Sequence, residues 1–170
     1  MKLRASLSTL AAFVPAVVAA LFSGVAHADT RLPKVFGNHM VLQRDLELTV
    51  WGWDDAGTEI SVRLGDSSVS GKAGDDGRWS VKLPKQAAGG PVAMTVTGSS
   101  TVELKDILIG EVWVCSGQSN MEWSVNRVTN GKEEIAAAKH PTIRLFHVPK
   151  VPAGLPQDDV NAEWKVCSPE

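Results

Sequence analysis

The sequence lacks any concentration of positive charge. Its 17 lysines and arginines are interspersed with 19 acidic residues, and the formal net charge is −2. A nucleic-acid partner requires a clustered basic surface that neutralises phosphates, so the composition argues against one. Tyrosine is absent altogether, and six tryptophans supply most of the aromatic residues.

Cysteine is also scarce, with only Cys115 and Cys167 in the chain. Neither belongs to a C-x-x-C pair or lies near a histidine at ligand spacing, which argues against a metal site. A disulfide is chemically permissible in an exported protein. The sequence therefore leaves two interpretations open, a bridge between Cys115 and Cys167 and a pair of buried free thiols.

Residues 1–28 have the pattern of a cleavable secretory signal. Lys2 and Arg4 precede an apolar stretch over residues 10–22, and Ala-His-Ala at 26–28 is a typical cleavage site. The apolar stretch is short for a membrane span. We therefore expect cleavage near Ala28, no stable membrane insertion afterwards, and a periplasmic or secreted protein.

Residues 29–108 have the pattern of short β-strands. Apolar and polar residues alternate in segments such as ELTVWGW, EISVRL and RWSVKL, and turns rich in glycine and aspartate separate them. Such regular spacing predicts an all-β, sandwich-like domain. Trp51, Trp53 and Trp79 occupy strand positions and are expected to fill the core. The alternative is that they stack on sugar rings in a non-catalytic carbohydrate-binding β module.

Residues 109–170 have a different pattern. The apolar run EVWVC predicts a strand covered on both faces, with Trp113 in the core. Helices are predicted to begin near Ser119 and over residues 133–140, and a second strand over 142–148. Strand, helix and strand in succession open a parallel α/β domain, and about 60 residues are too few to complete one. This part is therefore either an unusually small domain or, as we expect, a truncated one.

Ser119 is the candidate nucleophile within the segment CSGQSNMEW. A turn from strand to helix lifts a serine hydroxyl out of a sheet and points backbone N–H groups at a developing oxyanion. Gln118 and Asn120 offer side-chain amides on the oxyanion or substrate side. By spacing alone, a serine before asparagine is also typical of an ordinary helix N-cap. Trp123 could wall a sugar site or pack in the core.

A catalytic base for Ser119 is not evident in the sequence. No histidine has an aspartate three residues before it. His39 lies in the first strand region, His140 at a predicted helix end, and His147 in a predicted strand, so each has a simpler structural interpretation. The acidic pair at 158–159 is expected to be solvated.

Six segments, taken in order, resemble one known family. They are LPKVFGNHMVLQR, VWGW, DGRWSVKLP, LKDILIGEVWVCSGQSNMEW, IRLFHVPK and WKVCSPE. With these segments the chain resembles the N-terminal part of the sialate O-acetylesterase family, within the SGNH-type carbohydrate acetylesterases. The resemblance implies a β-sandwich-like domain followed by the start of a flavodoxin-like three-layer α/β/α hydrolase domain, which is incomplete here.

The same resemblance implies a serine carboxylic-ester hydrolase that removes acetyl groups from sialic acid or related sugars, without a metal or organic cofactor. Ser119 matches the family nucleophile, and its backbone N–H matches one oxyanion donor. The other donors and the Asp-x-x-His block match nothing up to Glu170, so we expect the chain alone to be inactive. A deacetylase of acetylxylan or another polysaccharide on the same scaffold is the alternative enzyme.

Overall fold

The computed structural model of the protein describes residues 28–170. The predicted signal sequence lies outside the described residues, apart from Ala28. No helix within residues 28–170 is long and apolar enough to cross a membrane.

The described chain up to residue 110 consists of β-strands and turns. A mainly β structure was predicted there, and it is confirmed, with no helix in this part of the described chain. The strands are β1 (Val41–Gln43), β2 (Leu48–Trp53), β3 (Glu59–Leu64), β4 (Ser67–Lys72), β5 (Arg78–Leu83), β6 (Gly89–Thr97) and β7 (Thr101–Gly110).

The seven strands form two sheets. Five strands lie in the order β1-β7-β6-β3-β4, and β2 pairs with β5 in a separate antiparallel sheet. Within the larger sheet only the β1–β7 pair is parallel, with Val41 opposite Leu108. The finer description of this region as a sandwich domain stays a prediction.

The inward faces of both sheets contribute to one apolar core. Sixteen buried apolar residues form it, and all lie between Phe36 and Ile109. Leu48 and Val50 of β2 alternate with exposed positions, and Ile60 and Val62 of β3 alternate with exposed or half-buried ones. This is the period of two that the sequence predicted, and each fully buried aliphatic side chain stabilises the fold by about 1.5–3 kcal/mol.

The segment EVWVC is not a strand, and this prediction was wrong. Strand β7 ends at Gly110, and residues 111–118 adopt no regular structure apart from a bend at 118. The run finds no strand partner within the described residues, and its side chains face solvent, with Trp113 83% exposed. Apolar sequence therefore predicted burial that this part of the chain does not provide.

The rest of the described chain also differs from the predicted α/β opening. A 3-10 helix spans Ser119–Glu122 and a second spans Val125–Arg127, where a longer helix was expected. Helix α1 is Gly131–Ala137, and β8 (His140–Phe146) pairs with β9 (Trp164–Cys167).

The β8–β9 pair is antiparallel rather than part of a parallel sheet. A connection between parallel strands in one sheet needs a crossover, usually a helix, whereas β8 and β9 are joined by a loop that contains no helix. The register between the two strands is irregular between His140 and Arg144. Pro141 lies in this stretch and has no N–H to donate to a neighbouring strand.

Candidate functional site

Ser119 lies at the start of the first 3-10 helix, on the surface. Gln118 is the N-cap residue, in an extended conformation, and its carbonyl accepts a hydrogen bond from the Met121 N–H at 2.9 Å. The Ser119 hydroxyl makes no hydrogen bond to any of the residues that the structure describes. The N-cap interpretation of Ser119 was therefore wrong, because Ser119 lies inside the helical turn.

Gly117, two residues before Ser119, lies close to the Met121 side chain. A Cβ atom at Gly117 would lie 2.9 Å from Cγ of Met121, closer than real Cβ contacts allow without a shift. A glycine at this position leaves room for the Met121 side chain. Residue 117 has no regular structure and residue 118 forms a bend, after an irregular segment and not after a strand.

The predicted neighbours of Ser119 are exposed as well. Every residue from 111 to 130 is exposed, including Gln118, Asn120 and Trp123. Trp123 is 60% exposed, so the interpretation as a core residue was wrong. Within residues 28–170, no three side chains of histidine, cysteine, aspartate or glutamate lie together as metal ligands would.

The exit from β7 toward Ser119 is fixed by one side chain. Gln43 of β1 accepts a hydrogen bond from the Val112 N–H through Oε1 at 2.9 Å. Its Nε2 donates to the Glu111 carboxylate at 3.0 Å. The parallel neighbour of β7 therefore holds the first residues of the segment that leads to the candidate nucleophile.

The two cysteines are free thiols in the structure. Cys115 is exposed in the irregular segment, and Cys167 is half-buried at the end of β9. The Cys167 Sγ lies 3.9 Å from the carbonyl oxygen of Ala138, not against another sulfur. Of the two interpretations, the structure favours free thiols over a bridge, although Cys115 is not buried as that interpretation expected.

An ionic cluster that the sequence did not predict lies between β7 and β8. Arg144 donates to both carboxylate oxygens of Asp106, at 2.6 and 3.1 Å. His39 Nδ1 lies 2.6 Å from the same carboxylate. The Arg144 side chain is only 5% exposed. We call these three residues the Asp106 cluster.

The electrostatics of the Asp106 cluster follow from this geometry. Hydrogen bonds from Arg144 and His39 lower the pKa of Asp106 from its ordinary value to about 2, because they stabilise the charged carboxylate. Asp106 and His39 both have positive φ, 56° and 67°. These are among the residue types that tolerate this conformation best after glycine.

The Asp106 cluster does not include Ser119, and its members come from separate segments. His39, Asp106 and Arg144 lie in GNHMVLQR, LKDILIG and IRLF, which are three of the segments that carry the family resemblance. That shared membership is the one sequence signal that could have identified the cluster. His140 and His147 are exposed and make no side-chain hydrogen bond among the described residues.

Other polar contacts join the last part of the chain to the β-strands. Trp164 Nε1 donates to the Val35 carbonyl at 2.7 Å. Asp158 accepts from Arg78 at 2.6 Å, and Asp159 accepts from the Lys34 N–H at 2.7 Å. The acidic pair at 158–159 lies at the surface, as expected, but each carboxylate has a protein partner.

Comparison with known proteins gives consistent results for sequence and structure. No family model matches the chain. Over 131 residues, covering 69% of this chain, it is 32% identical to the sialate O-acetylesterase of Rattus norvegicus. Over 164 residues, covering 87% of this chain, it is 29% identical to the sialate O-acetylesterase of Mus musculus.

A solved structure gives the same picture. A carbohydrate acetylesterase from Xanthomonas citri matches 83% of this chain with a TM-score of 0.80 and 37% identity. The chain spans 24% and 30% of the length of the rat and mouse relatives, and 33% of the Xanthomonas citri chain.

Proposed function

Because the chain belongs to the sialate O-acetylesterase family, we propose that it is the nucleophile-bearing part of a carbohydrate O-acetylesterase, with Ser119 as the nucleophile. The observation that carries the proposal is the position of Ser119 as the first residue of an exposed 3-10 helix. It presents the Ser119 hydroxyl at the surface with no hydrogen-bond partner in the described chain, in a structure that resembles a carbohydrate acetylesterase at a TM-score of 0.80.

The proposed reaction is acyl transfer in two steps. The Ser119 oxygen attacks the acetyl carbonyl carbon while a histidine base removes the hydroxyl proton, and the sugar oxygen leaves with a proton from the same histidine. Water then attacks acetyl-Ser119 and releases acetate. As the first residue of a helical turn, Ser119 has a backbone N–H without a partner inside that turn, and this N–H would donate to the oxyanion.

The proposed base and the remaining oxyanion donors lie outside residues 28–170. His39 is engaged with Asp106 at 2.6 Å, and neither His140 nor His147 makes a side-chain hydrogen bond in the described part of the chain. A serine without a base is a weak nucleophile. We therefore propose that the 170-residue chain hydrolyses esters little by itself, and that Gln118 and Asn120 act on the substrate side once the site is complete.

The substrate proposed is an O-acetylated sugar, in first place sialic acid. The rat and mouse relatives are named as sialate O-acetylesterases, and the Xanthomonas citri protein as a carbohydrate acetylesterase. The signal-like residues 1–28 support a periplasmic or extracellular location. N-terminal sequencing of the exported protein tests this location, since cleavage as proposed leaves Asp29 first.

The experiment that tests the function compares the chain with a chimera. The chimera joins residues 1–170 to the remaining residues of the Xanthomonas citri relative, and acetate release is measured from O-acetylated sialic acid and from acetylxylan. We expect activity from the chimera, a loss of at least about 10³-fold with Ser119→Ala, and little activity from the chain alone. Faster release of acetate from acetylxylan than from O-acetylated sialic acid would instead favour the polysaccharide deacetylase.

A matched control is Ser124→Ala. Ser124 precedes the second 3-10 helix, as Gln118 precedes the first, and among the described residues its hydroxyl binds Asn126 alone. This variant should retain the activity of the chimera. If the isolated chain hydrolysed the acetylated sugars at enzymatic rates, or if Ser119→Ala left the chimera active, the proposal would be wrong.

A further inference from the structure

The outer face of the β2–β5 sheet carries an aromatic and cationic surface. Trp51 and Trp53 point away from the core on β2, and Ser80 and Arg78 lie opposite them on β5. Arg31 pairs with Trp53 through two backbone hydrogen bonds, of 2.8 and 2.9 Å, along the other side of β2. We call these five residues the Trp51 face.

The two tryptophans of the Trp51 face differ in what covers them. The Arg31 guanidinium carbon lies 3.8 Å from the ring centroid of Trp53, and that of Arg78 lies 5.9 Å away. Trp51 contacts Phe36 edge-on, with centroids 4.6 Å apart, and is 40% exposed. The prediction that Trp51 fills the core was wrong, and its indole is the more exposed of the two.

A hollow lies beside this indole. It measures about 260 Å³ and is lined by Trp51, Gly52, Trp53, Arg78, Trp79 and Ser80. Ligand pockets for drug-sized molecules start at about 300 Å³, so the hollow suits a single ring and not an extended molecule.

Gly52 is required where β2 crosses the base of this hollow. A Cβ at Gly52 would lie 2.2 Å from the Arg31 carbonyl oxygen and 2.8 Å from Cζ2 of Trp79. The glycine therefore lets the Arg31 backbone and the Trp79 ring approach β2 from its two sides.

The charged groups of the Trp51 face are not equally available. Arg78 is engaged by Asp158 at 2.6 Å. Arg31 makes no ion pair with any of the described residues, and its guanidinium rests on the ring of Trp53. An arginine held flat on an aromatic ring keeps its N–H groups directed outward, and its planar fork matches a carboxylate.

We propose that the Trp51 face binds a sugar unit of an acidic glycan, separately from the Ser119 site. The apolar C–H face of the pyranose ring packs on the Trp51 indole, the Arg31 guanidinium binds the sugar carboxylate, and the Ser80 hydroxyl bonds a ring hydroxyl. Ser80 and the exposed indole of Trp51 line a ring-sized hollow, and the Arg31 guanidinium rests on Trp53 at its edge, a combination that fits this ligand. The inference takes from the proposed function only that the ligand is a sugar.

The test uses the 170-residue chain with Ser119→Ala, so that hydrolysis cannot alter the ligand. Binding of sialyllactose and of lactose is followed by NMR titration. We expect the sialylated sugar to bind more tightly than lactose, and Trp51→Ala to weaken its binding by about tenfold or more. Arg31→Gln keeps the backbone pairing and should abolish the preference for the sialylated sugar while lactose binding persists.

Trp113→Ala is the matched control, because it removes an exposed indole that lies outside this face. This control should bind sialyllactose as tightly as the parent. For every variant, an unchanged urea midpoint shows that the protein is folded. The proposal is overturned if Trp51→Ala binds as tightly as the parent, if Trp113→Ala weakens binding as much, or if lactose binds as well as sialyllactose. The assay measures no turnover, so its failure is independent of a failure of the esterase chimera.

A binding measurement on the chimera completes the test. If the chimera, also with Ser119→Ala, binds sialyllactose like the chain, the face is open in the larger protein. If the chain binds and the chimera does not, the added residues cover Trp51, and the proposed role in glycan binding is wrong.

Discussion

The described residues up to Gly110 and those after it are stabilised in different ways. The first part encloses a core to which it contributes all sixteen buried apolar side chains. In the second part the one fully buried residue is Gly131, and Trp113, Val114 and Leu155 are at least 77% exposed. Similar sequence hydrophobicity therefore has different consequences, because only the first part has sheets that pack against each other.

The second part is held to the first by polar contacts and by the packing of Trp164 against the core. The Asp106–Arg144 pair, the bond from Trp164 to Val35 and the contacts of Asp158 and Asp159 connect the two. Hydrogen bonds and surface ion pairs each contribute about 0–1.5 kcal/mol net, less than a buried large side chain. The comparison predicts that the second part opens more easily than the first.

The largest difference should appear between two tryptophans. Trp79→Ala removes an indole that is 3% exposed, whereas Trp113→Ala removes one that is 83% exposed. We expect the free energy of unfolding to fall by about 3–5 kcal/mol for Trp79→Ala and to change by no more than about 0.5 kcal/mol for Trp113→Ala. Urea denaturation followed by circular dichroism measures both. Equal losses would mean that Trp113 is packed in solution.

A smaller effect is expected where the two parts meet. Asp106→Asn leaves the Arg144 side chain, 5% exposed, without its carboxylate. Loss of a fully buried partner costs about 3–5 kcal/mol, and because the Asp106 side chain is 34% exposed, we expect about 2 kcal/mol here. Hydrogen exchange should accelerate in β8 and β9 far more than in β3 and β6.

Asp45→Asn is the matched control for Asp106→Asn. Asp45 also has positive φ and also binds an arginine, Arg44, at 2.6 Å, but both side chains are more than 40% exposed. Its replacement should change the free energy of unfolding by no more than about 0.5 kcal/mol. If both variants lowered the free energy of unfolding equally, burial of Arg144 would not be the reason that the Asp106 cluster stabilises the fold.

The Asp106 carboxylate should also produce a pH dependence in the acid range. Hydrogen bonds from Arg144 and His39 lower the folded-state pKa of Asp106 to about 2, below the unfolded value near 3.9. The unfolded state then binds more protons, so the stabilisation is complete above about pH 4 and is lost as the pH falls through about 2. Urea midpoints between pH 2 and 5 should fall less steeply in Asp106→Asn.

Asp54 contributes to the same acid dependence from within the core region. Burial opposes its ionisation, yet hydrogen bonds from Thr30 and Ser99 outweigh burial and hold its pKa below the ordinary value. The Asp106→Asn variant should therefore keep part of the acid sensitivity. A profile that became flat would show that Asp106 alone causes it.

Alternation within strands made most of the β-structure predictable. Leu48, Val50 and Trp79 face the core because a strand presents every second residue to one side. Trp51 follows the same rule and faces outward, so reading both β2 tryptophans as core residues ignored the period of two. Trp113 was mispredicted for another reason, because a continuous apolar run shows no face and its burial depends on neighbours that the described chain does not supply.

The site was predictable only where it is local in sequence. The helical turn that begins at Ser119 depends on residues within a few positions, so CSGQSNMEW indicated its start correctly. The Asp106 cluster joins residues that are 38 and 67 positions apart, and no spacing rule brings such residues together. A hydrophobic pattern also gives no information about the burial of Arg144, a charged side chain that is buried next to its partner Asp106.

The parallel pairing of β1 with β7 governs when the fold can be completed. β1 finds its neighbour only after the whole sheet region has been synthesised, since His39, beside β1, lies 67 positions from its partner Asp106 in β7. Closing so long a loop costs entropy before any contact compensates for it, and folds rich in such distant contacts form slowly. We expect β1 to join the sheet after β3, β4 and β6 have paired, so substitutions in β1 should accelerate unfolding more than they slow folding.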